Sequence, residues 1–156
     1  MIYKFRRDKQ AVSTAVVMAL FAIFIICEVC FVSEEDMWVR IVCPIIILPI
    51  FLLGLRTPRY VYIEKGLIIV KYYLGRKILA DIASVRRVTK DELAGSVRLM
   101  GNNGLFGYTG WHRKKGIGTY YLMAVNWEEL ALVTLENGKL YVINYPQELL
   151  DKAVNQ

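Results

Sequence analysis

Two apolar runs, Ala11–Val32 and Met37–Leu55, flank the acidic stretch Ser33-Glu34-Glu35-Asp36. No other feature constrains the chain as much. As a helix the first run covers roughly 33 Å at about 1.5 Å per residue, enough for the roughly 30 Å hydrocarbon core of a bilayer; the second covers about 28 Å. Pro44 and Pro49 interrupt the second run, and proline is tolerated in membrane helices. The pattern predicts a transmembrane helical hairpin, with helices over about 11–32 and 37–55. A cleaved signal peptide fits less well, because the first run exceeds the roughly 7–15 residues of a signal h-region and lacks a small-x-small site. Ile26 before Cys27 and Val29 before Cys30 argue against lipidation.

Charge gives the hairpin a direction. Lys4, Arg6, Arg7 and Lys9 precede the first run, Arg56 and Arg59 follow the second, and the turn between is acidic. The positive-inside rule then puts both termini in the cytoplasm, as expected of a two-span protein of the cytoplasmic (inner) membrane. Glu28 and Arg40 fall at similar depth on the two arms, and ionisable groups at membrane depth tend to pair or snorkel. An ion pair between them would set the hairpin register. Neutralising either residue alone without changing thermal stability in detergent would rule it out.

The chain divides into residues 1–56, a leader plus hairpin, and residues 57–156, a domain of ordinary polarity. The formal net charge of +6 suits an anionic partner. Beside spanning segments, an anionic membrane accounts for it without nucleic acid. Cys27, Cys30 and Cys43 all lie within the apolar runs; Cys27-x-x-Cys30 has redox or zinc spacing, but no second pair or nearby histidine completes a site. His112 is the single histidine, which excludes a multi-histidine metal centre. No nucleophile motif accompanies it. No catalytic residues, metal or cofactor are expected.

After Thr57-Pro58 the pattern turns to β. Candidate strands cover 60–64, 67–73, 76–80, 85–88, 96–100, 108–113, 118–125, 130–136 and 139–144, and 90–95 reads as a charged connection. Asn137-Gly138 between two β-like runs is a strong hairpin signal. Glycine recurs at 101, 104, 107 and 110. The stretch lacks the Lys-Ser/Thr ending of a phosphate loop, and reads as a tight or bulged hairpin where positive φ is needed. Pro146–Val154 reads as an amphipathic helix. These candidate strands in hairpin order, closed by one terminal helix, make an α+β domain, a β-sandwich or barrel with a capped end.

The segments "RYVYIEKGLIIVKYYLGRKILADIASVRRV", "GLFGYTGWHRKKGIGTYYLMAVN" and "ALVTLENGKLYVINYPQELLD", spanning roughly 56–154, resemble a bacterial pleckstrin-homology (PH) domain, here in a membrane-anchored layout. The resemblance implies a seven-stranded, strongly bent β-sandwich capped by a C-terminal helix. It implies no single activity, since the fold hosts lipid, peptide and protein binding. The phosphoinositide-binding members carry Lys and Arg around the first hairpin turn, ending in a basic-x-Arg pattern. Here that turn is short and offers Lys65, then Lys71 before Tyr72-Tyr73, with no arginine at the matching place. Those ligands are not carried over.

The best surface candidate is the run Trp111, His112, Arg113, Lys114 and Lys115, with Leu105 and Phe106 of the glycine-rich loop beside it. Exposed cations would hold anionic headgroups or an acidic partner; the alternative is a solvated hairpin tip and a buried loop plug. The expected function is a membrane-anchored, non-catalytic interaction module that binds a protein partner, or anionic lipid, at the cytoplasmic surface. The alternative is an accessory or regulatory subunit of a membrane enzyme or transport complex, or an enzyme itself. Asp81, Asp91 and His112 converging in a pocket would favour the latter.

Overall fold

Runs of Val, Ile and Tyr broken by glycine turns set the order of elements in the computed structural model, which describes residues 2–4, 9–29, 57–64, 66–103 and 107–146, with isolated positions at 37–38, 41–42, 45–47 and 49. The chain runs β1 (Ile2–Lys4), α1 (Lys9–Cys27), β2 (Pro58–Glu64), β3 (Leu67–Tyr72), β4 (Arg76–Leu79), β5 (Ile82–Val88), α2 (Lys90–Leu93), β6 (Val97–Asn103), β7 (Tyr108–Lys114), β8 (Gly118–Ala124), β9 (Leu130–Leu135) and β10 (Leu140–Asn144).

The strands form two sheets. One is four-stranded in the order β1-β2-β3-β4; the other is six-stranded in the order β5-β9-β10-β8-β7-β6. β10 pairs antiparallel with β9 and parallel with β8. Period-two alternation gives each sheet an inner face. Val61, Ile68, Val70 and Leu79 of the first sheet pack on Met123, Val133, Tyr141 and Ile143 of the second. Each such side chain contributes roughly 1.5–3 kcal/mol by leaving water. The other face of the six-stranded sheet has its own buried cluster, in which Tyr120, Leu122, Leu132 and Val142 meet Val88 and Leu93.

Leu93 comes from α2, a single turn in the stretch that sequence pattern assigns to a charged connection. The Thr89 side chain accepts from the Glu92 backbone N–H, and the Glu92 carboxylate accepts from the Thr89 N–H, both at 3.2 Å. This reciprocal cap satisfies donors that a four-residue helix would otherwise leave open. The buried Asn144 holds the loop after β8. Its Oδ1 accepts from Val125 N–H at 2.7 Å, and its Nδ2 donates to Asn126 Oδ1 and the Glu128 carbonyl, both at 2.7 Å.

Several expectations need correction. The two-helix transmembrane hairpin is not found: among the described residues no helix is long and apolar enough to cross a membrane. α1 begins with Lys9 and Gln10 and carries Ser13 and Thr14, so its uninterrupted apolar part, Ala15–Cys27, covers about 20 Å against the roughly 30 Å required. The fold class of hairpin plus domain, the reading as a transmembrane protein, and the two-span placement in the cytoplasmic membrane with both termini inside are withdrawn with it. The turn at 33–36 and most of the second run lie outside the described residues. The domain holds nine described strands between residues 58 and 144, rather than the seven that the resemblance implies. The basic leader supplies a further strand, with Tyr3 opposite Val61 and Lys4 opposite Tyr60. The expected helix over 146–154 lies outside the described residues beyond Pro146.

Candidate functional site

The β7–β8 hairpin turns at Gly116, whose φ of 89° favours glycine. Its register places Trp111 opposite Tyr121 and His112 opposite Tyr120. Since neighbours in a strand point to opposite faces, Trp111 and Arg113 share the inner face of the six-stranded sheet, and His112 and Lys114 take the other.

The inner face carries an aromatic row. Met100 on β6 pairs with Trp111, Trp111 with Tyr121, and Tyr121 with Tyr141. The Trp111 and Tyr121 rings meet edge to face with centroids 5.1 Å apart, and Tyr121 and Tyr141 do so at 6.4 Å. Lys77 of β4 ends the row, its ammonium 5.7 Å from the Tyr141 ring centroid. Tyr141 is buried between the sheets, while Trp111 is 40% exposed and Met100 74% exposed. The four-stranded sheet therefore covers the inner end of the row and leaves its β6–β7 end open. Val97 and Arg113, a cross-strand pair, lie exposed at that end. No carboxylate occurs between residues 94 and 127.

β6 is an edge strand. Leu99 is an extra residue between the pairs Arg98–His112 and Met100–Trp111, and such a bulge twists an edge and re-aims its side chains. The glycine repeat sits at the end of this hairpin. Gly101 and Gly110 face each other with φ of 138° and 149°, and a methyl on Gly110 would overlap the Met100 carbonyl oxygen. Glycine is required there for the backbones to approach.

The opposite face is occupied. The His112 ring stacks on Tyr120 at 5.6 Å, and its Nδ1 lies 3.2 Å from the Gly110 carbonyl oxygen. Burial holds its pKa below the usual 6.5, with nearby Arg98 pushing the same way. Tyr120 donates to Ser96 Oγ at 2.9 Å. Lys114 Nζ donates to the carbonyls of Glu92 and, at 2.6 Å, Ala94, the C-terminal end of α2, where a cation is favourable. Arg86 pairs with Glu92 at 2.9 Å, and this hydrogen bond leads in holding the Glu92 carboxyl below its usual value.

The five consecutive residues 111–115 thus form no single patch. Trp111 and Arg113 belong to the open inner face, His112 and Lys114 to the packed outer one, and Lys115 to the exposed turn. Leu105 and Phe106 lie outside the described residues. So do Arg6, Arg7, Arg40 and Arg56, which leaves the Glu28–Arg40 pairing outside as well; Glu28 is exposed. Lys9 is exposed at the start of α1, Lys4 lies in β1, and the Arg59 guanidinium sits 5.4 Å from the Tyr73 ring centroid. Cys27 is an exposed free thiol. Asp81 occupies the β4–β5 corner with φ of 54°, Asp91 lies in α2 and His112 in β7, so they sit on separate elements. Among the described residues no cluster could hold a metal ion. Met100, Tyr121, Tyr141 and Lys77 are the members of the row that strand pattern alone does not single out. Their signal is strand register, of which the turn at 115–117 fixes only the pairing of Tyr121 with Trp111.

A family model described as a bacterial PH domain matches residues 58–152, beginning at the first residue of β2. No curated protein and no solved structure gives a significant match.

Proposed function

The chain belongs to the bacterial PH domain family, whose members are generally binding modules rather than catalysts, and from that premise we propose that its partner is a protein held on the open end of the inner aromatic row. The observation that carries this reading is the exposure of Met100 and Trp111 at the end of a row anchored in the core. An aromatic side chain braced from behind offers contact area without losing much freedom on binding, which is why Trp and Tyr dominate protein recognition hot spots. The rim favours an acidic partner: Arg113 is exposed beside the row and no carboxylate occurs in the stretch 94–127 that carries its open end. A segment combining apolar side chains with flanking carboxylates fits this chemistry. The non-catalytic reading rests on the family.

The test is affinity capture with the full-length chain, identification of the bound protein, and its dissociation constant for wild type and Trp111→Ala. Loss of a central aromatic anchor is expected to weaken binding about tenfold or more. Equal affinity in a variant that melts like wild type would contradict the assignment.

A further inference from the structure

An edge strand keeps a row of N–H and C=O groups without ladder partners, and proteins blunt such edges with shortness or charge. Four strands lie at an edge here: β1 and β4 in one sheet, β5 and β6 in the other. β1 has three residues and β4 four, with Arg76 and Lys77 exposed on β4. β5 carries Arg86 and Arg87, both exposed. β6 has seven residues and, among the described residues, pairs only with β7. Arg98 is its single charge, while Val97 is 64% exposed, Leu99 56%, and Met100 is exposed as well. Of the four edges, charge and shortness protect this one least.

The Leu99 bulge divides this edge. Beyond it, residues 100–103 pair in unbroken register with 108–111. Gly101 and Gly110 form a narrow pair, close enough that a Cβ on either would strike the facing backbone. In antiparallel sheets the narrow pairs exchange no hydrogen bonds with each other, so Gly101 turns its N–H and C=O away from β7, toward the open side. Asn103 repeats that phase two residues on. The open edge thus offers backbone donors and acceptors directly beside Met100 and the aromatic row. Charge decides what pairs with them. A second copy would bring the same stretch 94–127, which holds Arg98, Arg113, Lys114 and Lys115 and no carboxylate. Two copies edge to edge would set like charges side by side, which is destabilising. An extended segment of an acidic protein meets no such cost.

We propose that an extended acidic segment of the partner protein adds to β6 as a further strand of the six-stranded sheet. Its backbone bonds to Gly101 and Asn103, and an apolar side chain rests beside Met100 and Trp111. At the bulge the segment leaves the edge and crosses the inner face, where its carboxylates meet Arg113. Arg98, on the outer face, takes no part. The proposal rests on the inner row as the recognition face and adds the ligand's conformation, with main-chain bonding giving affinity and alternate side chains specificity.

Random peptides displayed on phage and selected on the full-length chain test it. The enriched peptides are synthesised and N-methylated at one backbone position at a time, which removes one N–H each. The expected peptides carry carboxylates and place apolar residues with period two. N-methylation at alternate positions should weaken binding about tenfold and leave the intervening positions unaffected. Bound peptide should slow amide exchange at Gly101 and Asn103. Arg113→Glu should cost about fivefold or more in affinity, and Arg98→Glu nothing. Apolar residues spaced three and four apart would overturn strand addition, and so would failure to enrich any peptide. Peptides that need Trp111 yet tolerate N-methylation at every position would overturn the added strand alone and leave the recognition face standing. Binding untouched by Trp111→Ala would sink the recognition face, and this proposal with it.

Discussion

The Trp111 indole meets the Tyr121 ring edge to face, with centroids 5.1 Å apart and planes at 73°. Tyr121 in turn leans on the buried Tyr141. An exposed residue is thus braced through two ring contacts to the centre of the sandwich. Each such pair contributes about 0.5–1.5 kcal/mol beyond the area it buries. Trp111→Ala should therefore cost about 1–2 kcal/mol in urea unfolding, small enough to leave a folded protein whose binding can be measured.

Gly110→Ala should be costlier than its single methyl suggests. The methyl would overlap the Met100 carbonyl oxygen, and φ of 149° is strained for any L side chain. A loss of about 2–4 kcal/mol is expected by urea titration. Gly116→Ala is the control, since a Cβ there meets nothing within 4 Å and only the strain of its φ of 89° remains. Equal losses at the two sites would show that backbone strain, not the close approach of β6 and β7, sets the requirement.

Asn144→Leu should destabilise by about 2–4 kcal/mol despite its similar volume, because it strands the buried Val125 N–H and removes the donor to the Asn126 and Glu128 carbonyls of the part-buried loop. Asn144→Asp keeps the acceptor for Val125 and loses the donors. It should fall between wild type and Asn144→Leu at high pH only if the donors matter less than the acceptor. Hydrogen exchange at Val125 reads the acceptor directly.

His112 gives a pH dependence of defined sign. Burial lowers its folded-state pKa below 6.5, so the unfolded chain binds the proton more tightly. Stability should hold above about pH 7, decline as pH falls through 6.5, and level off once the folded imidazole is also protonated. Arg98, paired with it on β6, reinforces the slope. Glu92 acts lower: held down first by the hydrogen bond from Arg86, its contribution is lost only as pH falls below 4.5. His112→Gln should flatten thermal stability between pH 7 and 5.5. An unchanged slope would assign it to another group.

Strand pattern locates most of the domain because half-buried strands alternate apolar and polar residues and end at glycine turns. The expected 67–73 and 130–136 match β3 and β9 within a residue. The Asn137-Gly138 turn is found, with Gly138 at φ 76°. α2 escapes a periodicity reading because one turn has no period, although Thr89-x-x-Glu92 is a readable cap. β1 is hidden because its residues sit in a basic leader, where charge suggests orientation rather than pairing. The first apolar run misleads by length: summed hydrophobicity ignores the polar opening of α1, which shortens the apolar helix. Consecutive cations at 113–115 look like one patch until strand geometry separates Arg113 from Lys114. The aromatic row joins residues 100, 111, 121 and 141, and only the register of three strand pairs brings them together.

Photo-crosslinking from the two faces of β6 tests the recognition surface most directly. A photoreactive phenylalanine analogue replaces Met100, on the inner face beside Trp111, or Arg98, on the outer face beside His112. The structure predicts an adduct to one protein from position 100 that falls at least about tenfold with Trp111→Ala, and none from position 98. Equal adducts from both positions, or none from position 100, would contradict it.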